Sequence, residues 1–273
     1  MLAGLNGATR LYVVIGDPIA QVQSPAGITH SLAARGRNAV LVPVHVPVAD
    51  VDACIRGLSL ARNLDGIVAT VPHKFTAFRH CATVTERARF LESANAMRRN
   101  PDGGWHGDML DGLGFVEGIR RAGCVPEGRR ALQVGAGGAG TAIALALLEA
   151  GVASLALHDA DAARRDRLIG RLRSRFGDRV REGSPDPAGF DLAVNATPAG
   201  MLPDDPLPLL ADRLAPGTFV GEVITAPEVT PLLAAARARG CGTQTGIGMF
   251  TAVRDMIVDF LLERDLEQHS RSA

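Results

Sequence analysis

Among the 29 lysine and arginine residues of this 273-residue chain, Lys74 is the only lysine. A guanidinium stays charged under all ordinary conditions, whereas a partly desolvated lysine amine can lose its proton and take part in acid–base chemistry. Lys74 closes the segment Thr70-Val71-Pro72-His73-Lys74, which ends an apolar run. Asp111 opens a helical pattern after Gly107-Asp108-Met109-Leu110. An aspartate there can simply complement the helix dipole, or it can work with an amine. A third signal is Leu132-Gln133-Val134 running into Gly135-Ala136-Gly137-Gly138-Ala139-Gly140 and the apolar stretch Thr141–Leu148. This is G-x-G-x-x-G between a strand and a helix. Glycines there permit a tight turn, let backbone N–H groups approach a pyrophosphate and allow close helix–strand packing. Asp159 ends the following strand about 20 residues on, where a carboxylate can bind a ribose diol and repels a 2′-phosphate. The pattern predicts a dinucleotide site with NAD favoured. NADP is kept open by Arg164, a nearby guanidinium that could serve a 2′-phosphate.

The elements that must position these groups are short apolar runs alternating with helical patterns, the mark of an α/β fold with parallel strands. Strands are expected at Leu11–Ile15, Val40–Val46 and Gly66–Val71, the last delivering Lys74 just past its C-terminal end. Ser24-Pro25 is read as the N-cap and first turn of a helix that Gly36 ends. Helices are expected near 50–61 and 86–91, and short strands at Ala94–Arg98 and Trp105–Gly107 around the turn Pro101-Asp102-Gly103-Gly104. A second α/β pattern begins at Ala131 and continues through strands Ser154–His158, Leu192–Asn195 and Phe219–Val223. A helix at Pro231–Arg239 and a long one from about Met249 finish the chain. The predicted organisation is two domains: residues 1–110, to which 247–273 return, and residues 111–246.

Composition removes several function classes. Net charge is zero with no basic block, which argues against a nucleic-acid or anionic-membrane surface. Arg164, Arg165 and Arg167 are interleaved with Asp159, Asp161 and Asp166, as on a solvated helix face. The four cysteines have no C-x-x-C spacing and the seven histidines form no ligand cluster, so no metal is expected. No stretch reaches the roughly 20 apolar residues of a membrane span, and the N-terminus lacks a basic region ahead of its apolar stretch. A cytoplasmic protein is expected. One tryptophan and one tyrosine leave the cores to Ala, Val and Leu.

Taken in order, the segments resemble the shikimate dehydrogenase family over nearly the whole chain. They are Gly16-Asp17-Pro18-Ile19-Ala20 with Ser24-Pro25, Thr70-Val71-Pro72-His73-Lys74, Ser93-Ala94-Asn95-Ala96, Gly107-Asp108 with Asp111-Gly112, Gly135–Ala139, Asn195-Ala196-Thr197-Pro198-Ala199-Gly200 and Gly246-Ile247-Gly248-Met249. The resemblance implies an N-terminal α/β substrate domain joined to a Rossmann dinucleotide domain. It implies hydride transfer between a nicotinamide cofactor and the ring alcohol or ketone of shikimate and 3-dehydroshikimate, a step of aromatic amino acid biosynthesis. Lys74 and Asp111 match the catalytic pair, with Lys74 moving the proton and Asp111 positioning and polarising it. Ser24, Thr70 and Asn95 match substrate-binding positions, as does Met249 in the segment beside the nicotinamide. Gly135, Ala136, Gly137, Gly138 and Ala139, with Asp159 and Arg164, match the cofactor loop and ribose site. Asn195, Thr197 and Gly246 match positions near the nicotinamide. The expected partner is a small ring hydroxy acid, and the expected state a monomer or homodimer.

The departures bear on substrate. Val22 replaces the first Ser of the family's S-x-S, Val68 the Asn before T-V-P, Thr225 a Tyr after the late strand and Val253 a Gln on the last helix. Three of these four exchange a polar group for a β-branched apolar one, which costs a polar substrate its partners on desolvation. The expectation is therefore shikimate itself or a related ring acid. A quinate or aminoshikimate dehydrogenase on the same scaffold is the second enzyme reading. A non-catalytic metabolite sensor is the alternative from another class, disfavoured because binding alone needs no titratable amine. His73 is read as a strand-end side chain facing away from the cleft, on strand alternation.

Overall fold

Residues 4–270 of the computed structural model are described, with side chains through residue 263. The terminal residues 1–3 and 271–273, which the expected spans 1–110 and 247–273 include, lie outside them. The chain forms two compact units. One comprises the N-terminal part through Leu110 with the last helix from Arg254 onward, and the other Asp111–Val253.

The first unit begins with β1 (Arg10–Gly16), α1 (Ser24–Ala34), β2 (Ala39–His45), α2 (Val51–Ser59) and β3 (Leu64–Ala69). It continues with α3 (Lys74–Arg79), β4 (Thr83–Val84), α4 (Glu86–Leu91), β5 (Ala96–Arg99) and β6 (Trp105–Asp108). The sheet runs β2-β1-β3-β5-β6-β4, with β1 parallel to β2 and β3, and β5 antiparallel to β3 and β6. β3 lies between parallel β1 and antiparallel β5 and is buried along its whole length except at Asp65, so its later part, Ile67-Val68-Ala69, is apolar on both faces, as in a strand covered on both sides. One face packs Val13, Ile15, Ile67, Ala69, Met97 and Trp105 into a core with Val51 and Ile55 of α2; each fully buried aliphatic contributes about 1.5–3 kcal/mol. On the other face Gly66 is required, because a Cβ there would stand 2.6 Å from Leu261 Cδ2 and 2.8 Å from Tyr12 Cδ1. Ser24 is not the N-cap expected from Ser-Pro. It is already the first helical residue, Gln23 precedes it without a side-chain cap, and Gly36 follows the end at φ +70°.

The second unit is α5 (Asp111–Arg121), β7 (Arg130–Val134), α6 (Gly138–Glu149), β8 (Ser154–His158), α7 (Ala162–Phe176) and β9 (Val180–Glu182). It closes with β10 (Leu192–Asn195), β11 (Phe219–Glu222), α8 (Pro231–Ala238), β12 (Gly242–Gln244) and the start of α9 (Gly246–Ser270). All its strands are parallel, in the order β12-β11-β10-β7-β8-β9. The chain winds outward from β7 to β9, then returns to β10 on the other side of β7. The topological switch, where doubly wound sheets bind ligands, is thus between β7 and β10. α6 is buried almost all round, whereas α7 fully buries only Leu168, Ile169 and Leu172. α5 and α6 touch at Gly112, where a Cβ would lie 2.1 Å from Ala142 O. No helix among the described residues is long and apolar enough to cross a membrane.

Candidate active site

In the first unit the candidate residues gather at the C-terminal ends of β1 and β3 and at the segment leading into β5. The turn after β1 and the turn after β3 press together: Asp17 N–H donates to Val71 O at 3.0 Å, and a Cβ on Gly16 would sit 2.5 Å from Thr70 Cγ2. Lys74 is the first residue of α3, reached by a four-residue turn rather than by the strand end itself, and it is 7% exposed. Its carbonyl accepts from Ala94 N–H at 3.0 Å, which ties it to the segment before Asn95. Asn95 is a node: its carbonyl accepts from Ala69 N–H, its N–H donates to Asp108 O, and its side-chain Oδ1 accepts from Leu110 N–H at 2.9 Å. Ser24 is buried at the start of α1 and Thr70 is half-buried. His73 is 1% exposed and bonds Val46 O through Nε2 at 2.6 Å, so its ring serves the join between two turns.

Asp108, left without a role by the sequence, organises the approach to Asp111. It is 2% exposed and receives Arg87 through Nε at 2.7 Å and through Nη2, with Thr85 Oγ1 at 2.5 Å and Met109 N–H at 2.7 Å. A bidentate guanidinium on a buried carboxylate gives geometry as well as energy. Asp111 itself opens α5 in the second unit and is 8% exposed. On the same face of α5, one turn on, Gly114 meets Val253 of α9: a Cβ on Gly114 would stand 2.4 Å from Val253 Cβ. Met249, one turn earlier on α9, approaches Gly118, where a Cβ would be 3.3 Å from its Cα.

The glycine loop has the form its sequence predicts. Gly135 adopts φ +106°, and a Cβ there would meet Ala196 C and O at 2.7 Å. A Cβ on Gly140 would lie 2.2 Å from Gly135 O, whereas one on Gly137 would meet nothing within 4 Å. Gly137 precedes α6 with no side chain capping the helix, so the helix end presents backbone N–H groups beside open space. These residues fit a pyrophosphate. Gln133 braces the loop from below, its Nε2 donating to Gly135 O at 2.8 Å and Gly140 O at 2.7 Å. A polar residue inside an apolar strand was the available signal for it. Asp159 accepts Ala136 N–H at 2.7 Å and Asp161 N–H at 2.8 Å, so it fixes both the loop and the turn into α7. Arg164 lies 3.3 Å from Asp161 and 3.8 Å from Asp159, one guanidinium between two carboxylates. Its backbone amide, then its guanidinium, hold the Asp161 carboxyl below its usual range.

After β10, Asn195 is fully buried and Thr197 half-buried; the Asn195 amide is spent within the protein, on Glu222 and Ala199 O. Gly246 starts α9 with its Cα tight against β11's end: a Cβ would be 2.1 Å from Ile224 O. Among the described residues no group of three or more His, Cys, Asp or Glu could hold a metal.

Residues 14–97 match the family model for the shikimate dehydrogenase substrate binding domain. A curated relative from Rubrobacter xylanophilus, a shikimate dehydrogenase (NADP(+)), is 39% identical over 89% of this chain and 87% of its own. A Listeria monocytogenes shikimate 5-dehydrogenase solved with shikimate and NAD superposes with a TM-score of 0.85 at 25% identity, over 95% of this chain and 93% of the other. A Corynebacterium glutamicum quinate dehydrogenase solved with NAD gives a TM-score of 0.83 at 28% identity, over 93% of both chains.

Proposed function

The chain belongs to the shikimate dehydrogenase family, and we propose that it interconverts the ring ketone and alcohol of 3-dehydroshikimate and shikimate, or a close analogue. The observation that carries the reading is Lys74, the only lysine of the chain, buried at the start of the helix that follows β3, within the matched substrate-binding region. When bound, the nicotinamide supplies the hydride in reduction and takes it up in oxidation. Lys74, as the ammonium, gives its proton to the carbonyl oxygen as that oxygen becomes a hydroxyl; in the other direction the amine takes the hydroxyl proton. Asp111 positions and polarises that exchange. Ser24, Thr70 and Asn95 supply donors and acceptors for the ring substituents, and Met249 an apolar contact. The first unit then serves the substrate and the second the dinucleotide. There Gly135–Ala139 cradle the pyrophosphate, and Thr197 and Gly246 flank the nicotinamide end.

Asp159 and Asp161 outnumber Arg164 at the ribose position, which favours a diol over a 2′-phosphate and hence NAD over NADP. A second reading, a differently substituted ring acid such as quinate, is supported by Val253, whose methyls occupy the α5 face one turn from Asp111. Four cysteines free of disulfides suit the reducing cytoplasm. A matrix of shikimate, quinate and aminoshikimate against NAD and NADP, run on wild type and Lys74→Met, tests the whole reading. Turnover is expected in wild type, stronger with NAD, and to fall by at least about a hundredfold in the variant. Undiminished turnover in Lys74→Met would reject the mechanism; a strong NADP preference would reject the ribose argument.

A further inference from the structure

We propose that Glu222 is a positioning residue of the dinucleotide site, holding the turn after β10 against the glycine loop through Asn195 and Thr197. The inference rests on reading the second unit as dinucleotide-binding. Glu222 ends β11 and is 0% exposed. Asn195 Nδ2 donates to its two oxygens at 3.0 and 3.1 Å, Val223 N–H and Ile224 N–H to Oε1 at 2.8 and 3.2 Å, and Thr230 Oγ1 to Oε2 at 3.1 Å. None of these partners is a cation, so a carboxylate is buried on hydrogen bonds alone, an expensive arrangement that a purely structural join does not require. Burial pushes its carboxyl up, and the Asn195 amide leads the hydrogen bonds that oppose this.

What the arrangement does is visible one step outward. Asn195, held by Glu222, uses its Oδ1 to accept Thr197 N–H at 3.0 Å and Thr197 Oγ1 at 2.7 Å, and Thr197 Oγ1 accepts Ala199 N–H at 3.1 Å. Thr197 and Ala196 are the atoms that a Cβ on Gly135 would strike, at 2.7–2.9 Å. The turn and the glycine loop are therefore interlocked across the switch point between β7 and β10, where a dinucleotide lies. On its other side, Thr230 joins Glu222 to the N-cap of α8, and the Ile224 carbonyl is the atom pressed by Gly246. One carboxylate sets both turns. A glutamine of the same shape would present two N–H donors to groups that already donate, so it would loosen the turn even where the chain stays folded.

The test is direct NADH binding by fluorescence titration, with thermal melting and steady-state kinetics, on wild type, Glu222→Gln and Glu222→Asp. Wild-type binding checks the underlying reading separately. Glu222→Gln is expected to weaken NADH binding and raise the dinucleotide KM by about tenfold while the ring-acid KM moves less than about twofold. Glu222→Asp, one methylene short but still charged, is expected to recover part of the loss. If Glu222→Gln fails to fold, Glu222→Asp decides, because its shorter reach must still weaken NADH binding. Wild-type affinity in a folded Glu222→Gln, or in Glu222→Asp where that is the deciding variant, overturns the proposal, as does an equal rise in both KM values.

Discussion

At the scale of single residues, Asp108 and Arg87 show how a neighbour of the proposed catalytic pair does work that its own type does not announce. The Asp108 side chain is 3% exposed and the Arg87 side chain 33%. Replacing Arg87 with Met leaves the carboxylate desolvated with only neutral donors, which costs about 2 kcal/mol once solvent access to the lost guanidinium is discounted. Because Met109 and Leu110 connect this carboxylate directly to Asp111, turnover should fall along with the melting temperature. Adding Asp108→Asn to Arg87→Met removes the orphaned charge and should restore part of the stability; a double variant no more stable than the single one would contradict this account. The legible residues were those with a chemical type to notice: a solitary lysine, glycines at fixed spacing, an aspartate after a strand. Asp108, Gln133 and Glu222 act by being buried and hydrogen-bonded to their surroundings, and burial of that kind depends on contacts distant in sequence. The bond of His73 to Val46 O joins residues 27 positions apart and could not be read locally.

At the scale of elements, sequence periodicity located most of the strands and helices well. Strands at Ser154–His158 and Leu192–Asn195 and the helix Glu86–Leu91 have the expected limits. The strands β4, β9 and β12 are two or three residues long and carry no periodicity, being defined by the neighbour they pair with. The helix that begins at Lys74 is only six residues long, too short for a helical repeat to register. Side-chain pins also act between elements. Asp191, just before β10, takes a bidentate contact from Arg130 at the start of β7 and an N–H bond from its backbone. The Arg130 side chain, then its backbone amide, hold the Asp191 carboxyl down at about 2. A depressed carboxylate stabilises the fold above its unfolded pKa of about 3.9 and loses that contribution as pH falls through the folded value. With both side chains well exposed, at 58% and 38%, the contribution is at most about 1 kcal/mol. Denaturant unfolding of Arg130→Met should therefore show a small deficit at pH 6 that narrows below about pH 4; a deficit that widens on acidification would show that the pin works by some other means.

At the scale of the whole molecule, the two sheets have separate cores. Buried aliphatics of β1, β3 and α2 form the core of the first unit, and Val134, Ala193, Val220 and Leu233 form one in the second. Neither core includes Lys74, which opens α3 after the turn that follows β3. Substitutions with no shared partners act almost independently. Lys74→Met should consequently bind NADH within about twofold of wild type while losing turnover, and the two properties can be read on one sample by fluorescence titration and a turnover assay. Glu222→Gln should behave in the opposite sense, weakening the dinucleotide first and leaving the ring-acid KM nearly untouched. If Lys74→Met lost NADH affinity as well, the amine would be helping to build the dinucleotide site, and proton transfer alone would no longer account for its being the one lysine in a chain of arginines.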